Sequence, residues 1–441
     1  MIYFQFPSSH PDTYKHLYVL TATEPPIETL SYSLSQYLNE IKNKLSVREK
    51  EWDIYKKYTN TYEYIHTVVP HKKKAVSKYK PLSRSYFKMI ELIHTFDLFQ
   101  IHETVPPPPG FTKLAISSSS QMNAIHTFHL AEGPGGFIEA IANTRNNTYD
   151  VYYGMTIQDD KHDGTIPSWK KSEEFLYSHP NVIIEHGKDG TGNLLSYENF
   201  IHCCDKYASS MDVITGDGGF DFSAEFNKQE INITKLLFAQ ICYAVCLQKK
   251  GGSFILKIFD AFYTHTMDML MLLTSMYKRV YMTKPLTSRI GNSEKYIVCK
   301  GFLHENTLAF GDILRTTFRD VLACPEDKFV VELLNIPKSV FFQSRLEEFN
   351  SIFGQQQIEN IHYTISLIEK NVKTEKINML IKNNISKCVN WCMKYKVPYH
   401  YIMGNNIFLY SSNYTPTGNF GESGSPIISE PQHNDVAITT T

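Results

Sequence analysis

The sequence predicts an α/β protein in which helices cover both faces of a largely parallel sheet, with helical additions at its ends. Between residues 125 and 302, short apolar runs alternate with stretches whose apolar residues recur at helical spacing. A second observation is a glycine-rich turn, Gly133-Pro134-Gly135-Gly136, between an apolar run and a helical pattern. Such alternation is typical of strand–helix–strand units, whose ligands bind at the carboxyl ends of the strands. We therefore expect a binding site at this turn.

The expected elements follow from periodicity. Strands are predicted at 126–131, 151–157, 182–185, 212–215, 253–259, 280–283 and 296–299, and helices of the core at 137–143, 231–247 and 267–276. Further helices are predicted at 27–45, 85–98, 358–372 and 377–395, and a proline-rich loop at 106–110. These elements divide the chain into a mainly helical extension at 1–65, a core domain at 66–305 and a helical appendage at 306–410. Residues 411–441 have the polar composition that is typical of disorder.

Composition limits the class of protein. The 441 residues are 42% hydrophobic and 20% charged, with a formal net charge of −1, so any nucleic-acid surface has to come from local patches. The eight cysteines are scattered, which favours a reducing compartment. No apolar run reaches membrane-spanning length, and the first residues lack the pattern of a secretory signal. We expect an intracellular protein of the nucleus or cytoplasm, or of the virion or viral factory if it is viral.

Two weaker signals have ordinary alternatives. Lys72, Lys73 and Lys74 form a basic run that either binds phosphates or is a solvated charged face. His202-Cys203-Cys204-Asp205 lacks a second Cys/His pair at zinc-site spacing, so no metal is expected. The cysteine pairs spaced by four residues, at 242 and 246 and at 388 and 392, are interpreted as small buried residues on helix faces.

Four charged residues stand beside or at the ends of apolar elements. Lys88 follows SRSYF, Asp217 follows DVITG, Lys257 lies inside FILKIF, and Glu294 precedes KYIVCKGF. A buried charge is costly unless it is paired, so structural ion pairs are one interpretation. The other is that these side chains meet at one site, because strand ends converge at one edge of a parallel sheet.

These segments resemble the FtsJ-type ribose 2′-O-methyltransferases, and most closely the branch that acts on mRNA caps. The resemblance rests on SRSYFKM, AEGPGGF, DGGF, LKIFD and KPLTSRIGNSEKYIVCKGF, and covers roughly residues 60–303. It implies a Rossmann-like S-adenosylmethionine-dependent methyltransferase core with a mostly parallel seven-stranded sheet. It also implies that Lys88, Asp217, Lys257 and Glu294 form the catalytic tetrad.

The same resemblance implies a binding site for S-adenosyl-L-methionine. Its members are expected to be Gly133, Pro134, Gly135, Gly136 and Phe137 of the glycine turn, Asn193 and Leu194 of KDGTGNL, and Asp217. Two positions depart from the family pattern. Glu132 stands where many relatives have a small residue, and Asn193 replaces a common aspartate.

The implied function is methylation of a ribose 2′-hydroxyl in RNA, at the first transcribed nucleotides of capped mRNA. Lys257 is expected either to take the hydroxyl proton or to orient the oxygen lone pair. RNA contacts are expected from Lys72, Lys73, Lys74, Arg84, Ser288, Arg289 and Asn292. Other capping or transcription proteins are candidate partners. The alternatives are an enzyme acting on rRNA or tRNA, and an inactive methyltransferase-fold protein that serves as an RNA-binding scaffold subunit.

Overall fold

A computed structural model gives the structure of the protein. It describes residues 1–46, 48–99, 123–158, 169–219, 226–370 and 374–400. The predicted loop at 106–110 and the predicted disordered tail at 411–441 lie outside these ranges. Helix α1 is Tyr32–Ser46.

The centre of the fold is an eight-stranded sheet. Its strands are β1 (Tyr3–Gln5), β3 (His126–Leu130), β4 (Val151–Met155), β5 (Val182–Ile184), β6 (Met211–Gly216), β7 (Gln248–Ile258), β8 (Tyr277–Thr283) and β9 (Lys295–Phe302). They are ordered β1-β8-β9-β7-β6-β3-β4-β5. The five strands from β7 to β5 are parallel, whereas β9 is antiparallel to both β7 and β8. The predicted mostly parallel α/β core is thereby confirmed.

The eighth strand was not predicted. β1 adds antiparallel to β8 at the edge of the sheet, so that Phe4 lies opposite Met282. Two further strands, β2 (Leu17–Ala22) and β10 (Phe329–Leu334), form a separate antiparallel pair. Both terminal segments, which the sequence predicted as mainly helical, therefore contribute strands as well.

Helices cover both faces of the sheet. The longer ones are α1, α2 (Glu49–Thr59), α3 (Ser85–Phe96), α4 (Gly136–Arg145), α6 (Tyr197–Tyr207), α8 (Thr234–Leu247), α9 (Thr264–Met276), α10 (Gly311–Leu322), α11 (Val340–Glu369) and α12 (Thr374–Lys394). The short ones are α5 (Glu173–Ser178) and α7 (Gln229–Asn232). No helix in the described part of the chain is long and apolar enough to cross a membrane.

Alternate residues of the central strands belong to different cores. On β6, Val213 packs into the core under α3 and α4, whereas Ile214 packs into the core under α6, α8 and α9. Ile255 and Phe254 of β7 divide in the same way. Burial on both faces explains why these strands read as continuous apolar runs in the sequence.

The additions pack on one another and on the core. Helix α11 begins at Val340, well before the predicted start at 358, and the hydroxyl of Ser339 caps it by accepting the N–H of Phe342 at 3.3 Å. The ring of Phe349 stacks on the ring of Phe4, a residue of β1, with centroids 4.8 Å apart. Burial of this aromatic face against the edge strand accounts for the extra turns of helix.

The eight cysteines are free and buried. The pairs at 242 and 246 and at 388 and 392 lie in the two large cores, as predicted for small buried residues.

Candidate active site

The site forms where parallel strands end together. β7, β6, β3 and β4 are neighbours in register, with Gly216 opposite both Leu130 and Leu256. The next residues, Ala131, Asp217 and Lys257, are therefore brought to one edge of the sheet. This edge is the usual place for a ligand in an α/β fold.

The structure brings the four predicted catalytic side chains together as two ion pairs. Lys257 Nζ lies 3.1 Å from Asp217 Oδ1 and donates to the Asp217 main-chain oxygen at 2.6 Å. Lys88 Nζ lies 2.7 Å from Glu294 Oε1 and 2.8 Å from Oε2. The four side chains keep only 7% to 16% of their surface exposed. The tetrad is assembled, while its catalytic role stays a prediction.

Neighbouring residues hold each ion pair in place. Lys257 lies opposite Tyr296 in the β7–β9 register, and the Tyr296 hydroxyl donates to Asp217 Oδ1 at 3.4 Å. Lys88 lies on α3, the helix that covers this end of the sheet. Because α3 and the segment before β9 are far apart in the chain, only the tertiary fold can bring Lys88 to Glu294.

Electrostatics in the site favour an ionised Glu294. Burial alone would raise the pKa of the Glu294 carboxyl, but Lys88, Lys257 and Lys284 together hold it well below its usual range. Burial lowers the pKa of Lys88, Arg84 lowers it further, and Glu294 raises it. Lys88 therefore loses its proton more readily than a free lysine, while Glu294 keeps its negative charge.

Sequence reasoning missed Lys284, although it lies in the segment that carries the resemblance. Its ammonium donates to the main-chain oxygens of Glu294 at 2.7 Å and Asn292 at 2.8 Å. Burial lowers the pKa of Lys284 to about 7, with Glu294 opposing that shift. A lysine directly after an apolar strand was the available signal.

Glu91 was also missed and has no local signal. Its carboxylate accepts the N–H groups of Leu286 and Thr287, both at 2.8 Å. Glu91 lies one turn after Lys88 on α3, so one helix holds both the loop before Glu294 and the lysine that pairs with Glu294.

The glycine turn joins the end of β3 to the start of α4. Gly135 has φ +99°, a left-handed conformation that favours glycine, and it precedes the first helical residue. Gly136 lies against the start of α3, because a Cβ at this position would clash with the hydroxyls of Ser83 and Ser85. Gly136 thus sets how closely the turn approaches the helix that carries Lys88.

Glu132, the departure from the family pattern, caps α4. Its buried carboxylate accepts the N–H groups of Phe137 and, at 3.1 Å, Ile138, and it lies 3.1 Å from His129 Nδ1. Burial raises the pKa of this carboxyl against the effect of His129. The acid therefore replaces a small residue by satisfying donors at the helix N-terminus.

The predicted cofactor residues lie at the same edge of the sheet but differ in accessibility. The Phe137 and Leu194 side chains are buried in the two cores, and Asn193 Oδ1 already accepts the Leu195 N–H at 2.9 Å. The N–H of Gln158 donates to the Thr191 oxygen at 2.8 Å, which ties the KDGTGNL loop to the end of β4. Their contacts with a cofactor stay a prediction.

One buried donor supports a ligand beside the glycine turn. The Trp169 ring lies against Gly135, where an added Cβ would be 3.0 Å from it. Trp169 is buried, and its Nε1 has no hydrogen-bond acceptor among the residues that the structure describes. The ring packs on the left-handed Gly135 through its carbon Cζ3, and an unpaired buried donor on the same ring is compatible with a polar ligand such as S-adenosylmethionine.

Apart from the basic run, the predicted RNA contacts fall into two groups. Arg289 forms a bidentate pair with Glu63, at 3.0 and 2.6 Å, and Asn292 accepts from Lys284, so both already hold the loop. Arg84 Nε and Ser288 Oγ, in contrast, are buried and lack partners within the described ranges. Their contacts with RNA stay a prediction.

Two residues of the basic run, Lys73 and Lys74, line a groove that also reaches Arg84. The groove, of about 520 Å³, is lined by Lys73, Lys74, Lys78, Lys80 and Arg84, among others. Lys73 and Lys74 are exposed.

A second cavity, of about 560 Å³, lies between the N-terminal helices and the segment that precedes Glu294. Trp52, Glu49, Asp53 and Lys56 of α2 line it, and Ser293 lines it immediately before Glu294. The Trp52 ring rests near Gly291, where an added Cβ would be 3.3 Å away. The cavity thus combines an aromatic ring, carboxylates and cations.

The chain is similar in sequence to known proteins. The chain is 28% identical over 370 residues to the zebrafish (Danio rerio) cap-specific mRNA (nucleoside-2′-O-)-methyltransferase 2. That alignment covers 78% of this chain and 44% of the zebrafish protein. It is 31% identical over 231 residues to the Xenopus laevis cap-specific mRNA (nucleoside-2′-O-)-methyltransferase 1, and that alignment covers 50% of this chain and 26% of the Xenopus protein. The chain thus spans less than half the length of these curated relatives.

A solved structure of a Plasmodium falciparum ribosomal RNA methyltransferase aligns with 50% of this chain and 98% of that one, at 21% identity and a TM-score of 0.33. The family model of the FtsJ-like methyltransferases matches residues 81–302, half of the chain. That stretch contains all four tetrad residues and the glycine turn, and the chain belongs to the FtsJ-like methyltransferase family.

Proposed function

We propose that the protein transfers the methyl group of S-adenosylmethionine to a ribose 2′-hydroxyl at the capped 5′ end of mRNA. The observation that carries the proposal is the buried tetrad, in which Lys257 is held by Asp217 and Lys88 by Glu294. The family match and the names of the relatives support the reaction and the substrate.

S-adenosylmethionine, when bound, supplies an electrophilic methyl carbon on a positively charged sulfur. The protein has to bring a ribose oxygen into line with that carbon, and positioning can supply much of the acceleration. The carboxylate and the main-chain oxygen of Asp217 hold Lys257 Nζ in one orientation. From there, Nζ either accepts the hydroxyl proton or directs the oxygen lone pair toward the methyl carbon.

Glu294 and Lys88 complete the site. The ionised Glu294 pairs with Lys88 and raises the pKa of that lysine, which opposes the lowering by burial. Arg84 Nε and Ser288 Oγ offer buried donors for the phosphate or ribose oxygens of the substrate. Buried donors that are fixed before the substrate arrives can position it without further reorganisation.

The cavity at Trp52 is the proposed site for the guanine of the cap. A methylated guanine carries positive charge and stacks well on an indole ring. Its N–H edge can donate to a carboxylate, and Glu49 and Asp53 lie on the same helix as Trp52. Lys56, which also lines the cavity, can bind the phosphates that follow the guanine.

A methyl-transfer assay with capped and uncapped short RNAs, followed by nuclease mapping of the methylated nucleotide, tests the proposal. We expect preference for capped RNA and methylation of a 2′-oxygen near the 5′ end. Trp52→Ala should reduce the rate on capped RNA about 10-fold, since base stacking is worth roughly 1–3 kcal/mol. The exposed Tyr32 provides a matched control, Tyr32→Ala.

Equal rates on capped and uncapped RNA would favour the rRNA or tRNA alternative. Cofactor and RNA binding without any transfer would favour the scaffold alternative. A cap preference that survives Trp52→Ala would move the guanine site away from this cavity.

The basic run is proposed to bind RNA phosphates. Replacing Lys72, Lys73 and Lys74 by glutamine should weaken RNA binding and flatten its salt dependence, with cofactor affinity unchanged. On single-stranded RNA each phosphate contact contributes roughly 0.7 to the log–log salt slope, so three contacts predict a fall of about 2. Binding of a short capped RNA across a salt series measures the slope.

The matched control removes the same charge from exposed lysines of α12, by replacing Lys376, Lys382 and Lys387 with glutamine. If both triple variants change the slope equally, the run at 72–74 is a solvated face and has no specific role.

A further inference from the structure

Asp260 lies three residues after Lys257 and forms ion pairs with two lysines from distant parts of the chain. Lys42 Nζ of α1 is 3.2 Å from Asp260 Oδ2, and Lys295 Nζ of β9 is 3.0 Å from Oδ1. The Ser293 hydroxyl donates to Oδ2 at 2.8 Å. The side chains of Lys42 and Asp260 keep only 10% and 11% of their surface exposed, so the cluster is buried.

The cluster holds both chain neighbours of Glu294. Lys42 Nζ donates to Ser293 Oγ at 3.1 Å, and Lys295 Nζ donates to the Ser293 main-chain oxygen at 3.0 Å. On the other side, Lys284 donates to the Glu294 main-chain oxygen at 2.7 Å. The backbone around Glu294 is therefore fixed from two directions, which sets where its carboxylate meets Lys88.

Charge balance alone does not explain Lys42. Burial would raise the pKa of Asp260, but Lys295 and Lys42 hold it well below its usual range, so the carboxylate is ionised. Lys295 by itself supplies one compensating charge. Burying a second cation is costly, and a buried ion pair is a poor source of stability, so the additional lysine points to a geometric role.

We infer that Lys42 and Asp260 are positioning residues for Glu294, and that helix α1 is thereby part of the catalytic unit although it lies outside the family-matched residues 81–302. The inference rests on the proposed methyl transfer. It adds that the N-terminal extension does more than bind RNA: through Lys42 it fixes the segment from Ser293 to Lys295. A displacement of about 1 Å at a catalytic group can cost on the order of 10²-fold in rate.

The test compares Lys42→Met, Lys42→Arg and Lys44→Met in the full chain. Lys44 is exposed on the same helix and supplies the matched loss of charge. Lys42→Met should lower kcat about 10- to 100-fold, with the KM values for S-adenosylmethionine and capped RNA within about twofold of wild type. Lys42→Arg, which keeps a cation able to donate to both Asp260 and Ser293, should recover most of kcat, and Lys44→Met should match wild type.

A double-mutant cycle with Asp260→Asn adds a second readout. Once the carboxylate charge is gone, Lys42→Met should cost less than about twofold further, since Lys42, Asp260 and Ser293 form one bonded cluster that the loss of either charged residue breaks. Calorimetry with S-adenosylhomocysteine gives the folded, cofactor-competent fraction for each variant, and kcat is expressed per competent molecule.

Several outcomes would overturn the inference. One is a kcat for Lys42→Met equal to that of Lys44→Met, and another is a fall that disappears once the competent fraction is considered. A higher KM for capped RNA at unchanged kcat would make Lys42 a substrate contact instead. If the wild-type protein transfers no methyl group at all, it is the proposed function that fails, and the distinction is visible before any variant is compared.

Discussion

Lys257→Met is expected to lower kcat for methyl transfer by roughly 10³-fold while leaving S-adenosylhomocysteine binding within a few-fold of wild type. The reason is the position of Nζ, which Asp217 holds at the carboxyl end of β7 and which lies beside Gly219, two residues after Asp217. Methionine keeps the volume of the side chain and removes the amine. Single-turnover kinetics with capped RNA and calorimetry with S-adenosylhomocysteine measure the two effects.

Lys249→Met is the matched control, because Lys249 lies on the same strand with 56% of its side chain exposed. It should behave as wild type. Retention of more than a tenth of wild-type kcat by Lys257→Met would remove Lys257 from the catalytic centre. The wild-type rate against pH separates its two proposed roles, since a proton acceptor gains activity as the amine deprotonates and an orienting ammonium loses it.

Glu294→Gln is expected to cost roughly 3 kcal/mol of stability near neutral pH, and most of the activity. The carboxylate is buried, pairs with Lys88 and lies close enough to Lys257 and Lys284 for both to lower its pKa. The amide leaves Lys88 without its anion and removes a negative charge close to Lys257 and Lys284. Activity should fall with stability, because Lys88 would no longer be held at the site.

The lowered pKa of Glu294 also predicts how the loss of stability in Glu294→Gln changes with pH. The pKa of Glu294 is lower in the folded protein than its ordinary value of 4.5, so its contribution is complete above that value. The contribution is lost as the pH falls through the folded-state pKa. Thermal unfolding should therefore show the largest difference between wild type and Glu294→Gln above about pH 5, and a shrinking difference at lower pH.

Glu305→Gln, at a carboxylate with 71% side-chain exposure, serves as the control and should change little at any pH. A difference between wild type and Glu294→Gln that stays constant down to pH 3 would mean that the ionisation of Glu294 does not stabilise the fold.

The parts of the fold that sequence could predict are those with local signals. The runs that became β6 and β7 are apolar because both of their faces are buried, and Lys257 was visible as a charge inside such a run. The first half of α11 also carried a signal, since Phe342, Leu346 and Phe349 recur at helical spacing, but the prediction began later in the chain. β1 has only three residues, too few for any periodicity to identify.

The site was predictable only as far as the family resemblance reached. The tetrad and the glycine turn came from motifs, whereas the partners that hold them are distant in sequence. Arg289, predicted to bind RNA, pairs with Glu63, and Lys42 reaches Asp260 from a helix outside the motifs. Side chains that meet only through the tertiary fold leave no local pattern to interpret.

The pairing of β1 with β8 bears on how the chain is made. The hydroxyl of Thr283 donates to the Ile2 oxygen at 2.7 Å across a separation of 281 residues. At roughly 5–20 residues per second, a ribosome needs about 15 to 60 s between synthesising the first strand and synthesising its partner. During that interval, Phe4 and its neighbours lack both the strand that pairs with them and the aromatic face of α11. The edge of the sheet is therefore closed only late in synthesis, and a chain truncated before β8 has a first strand without its partner.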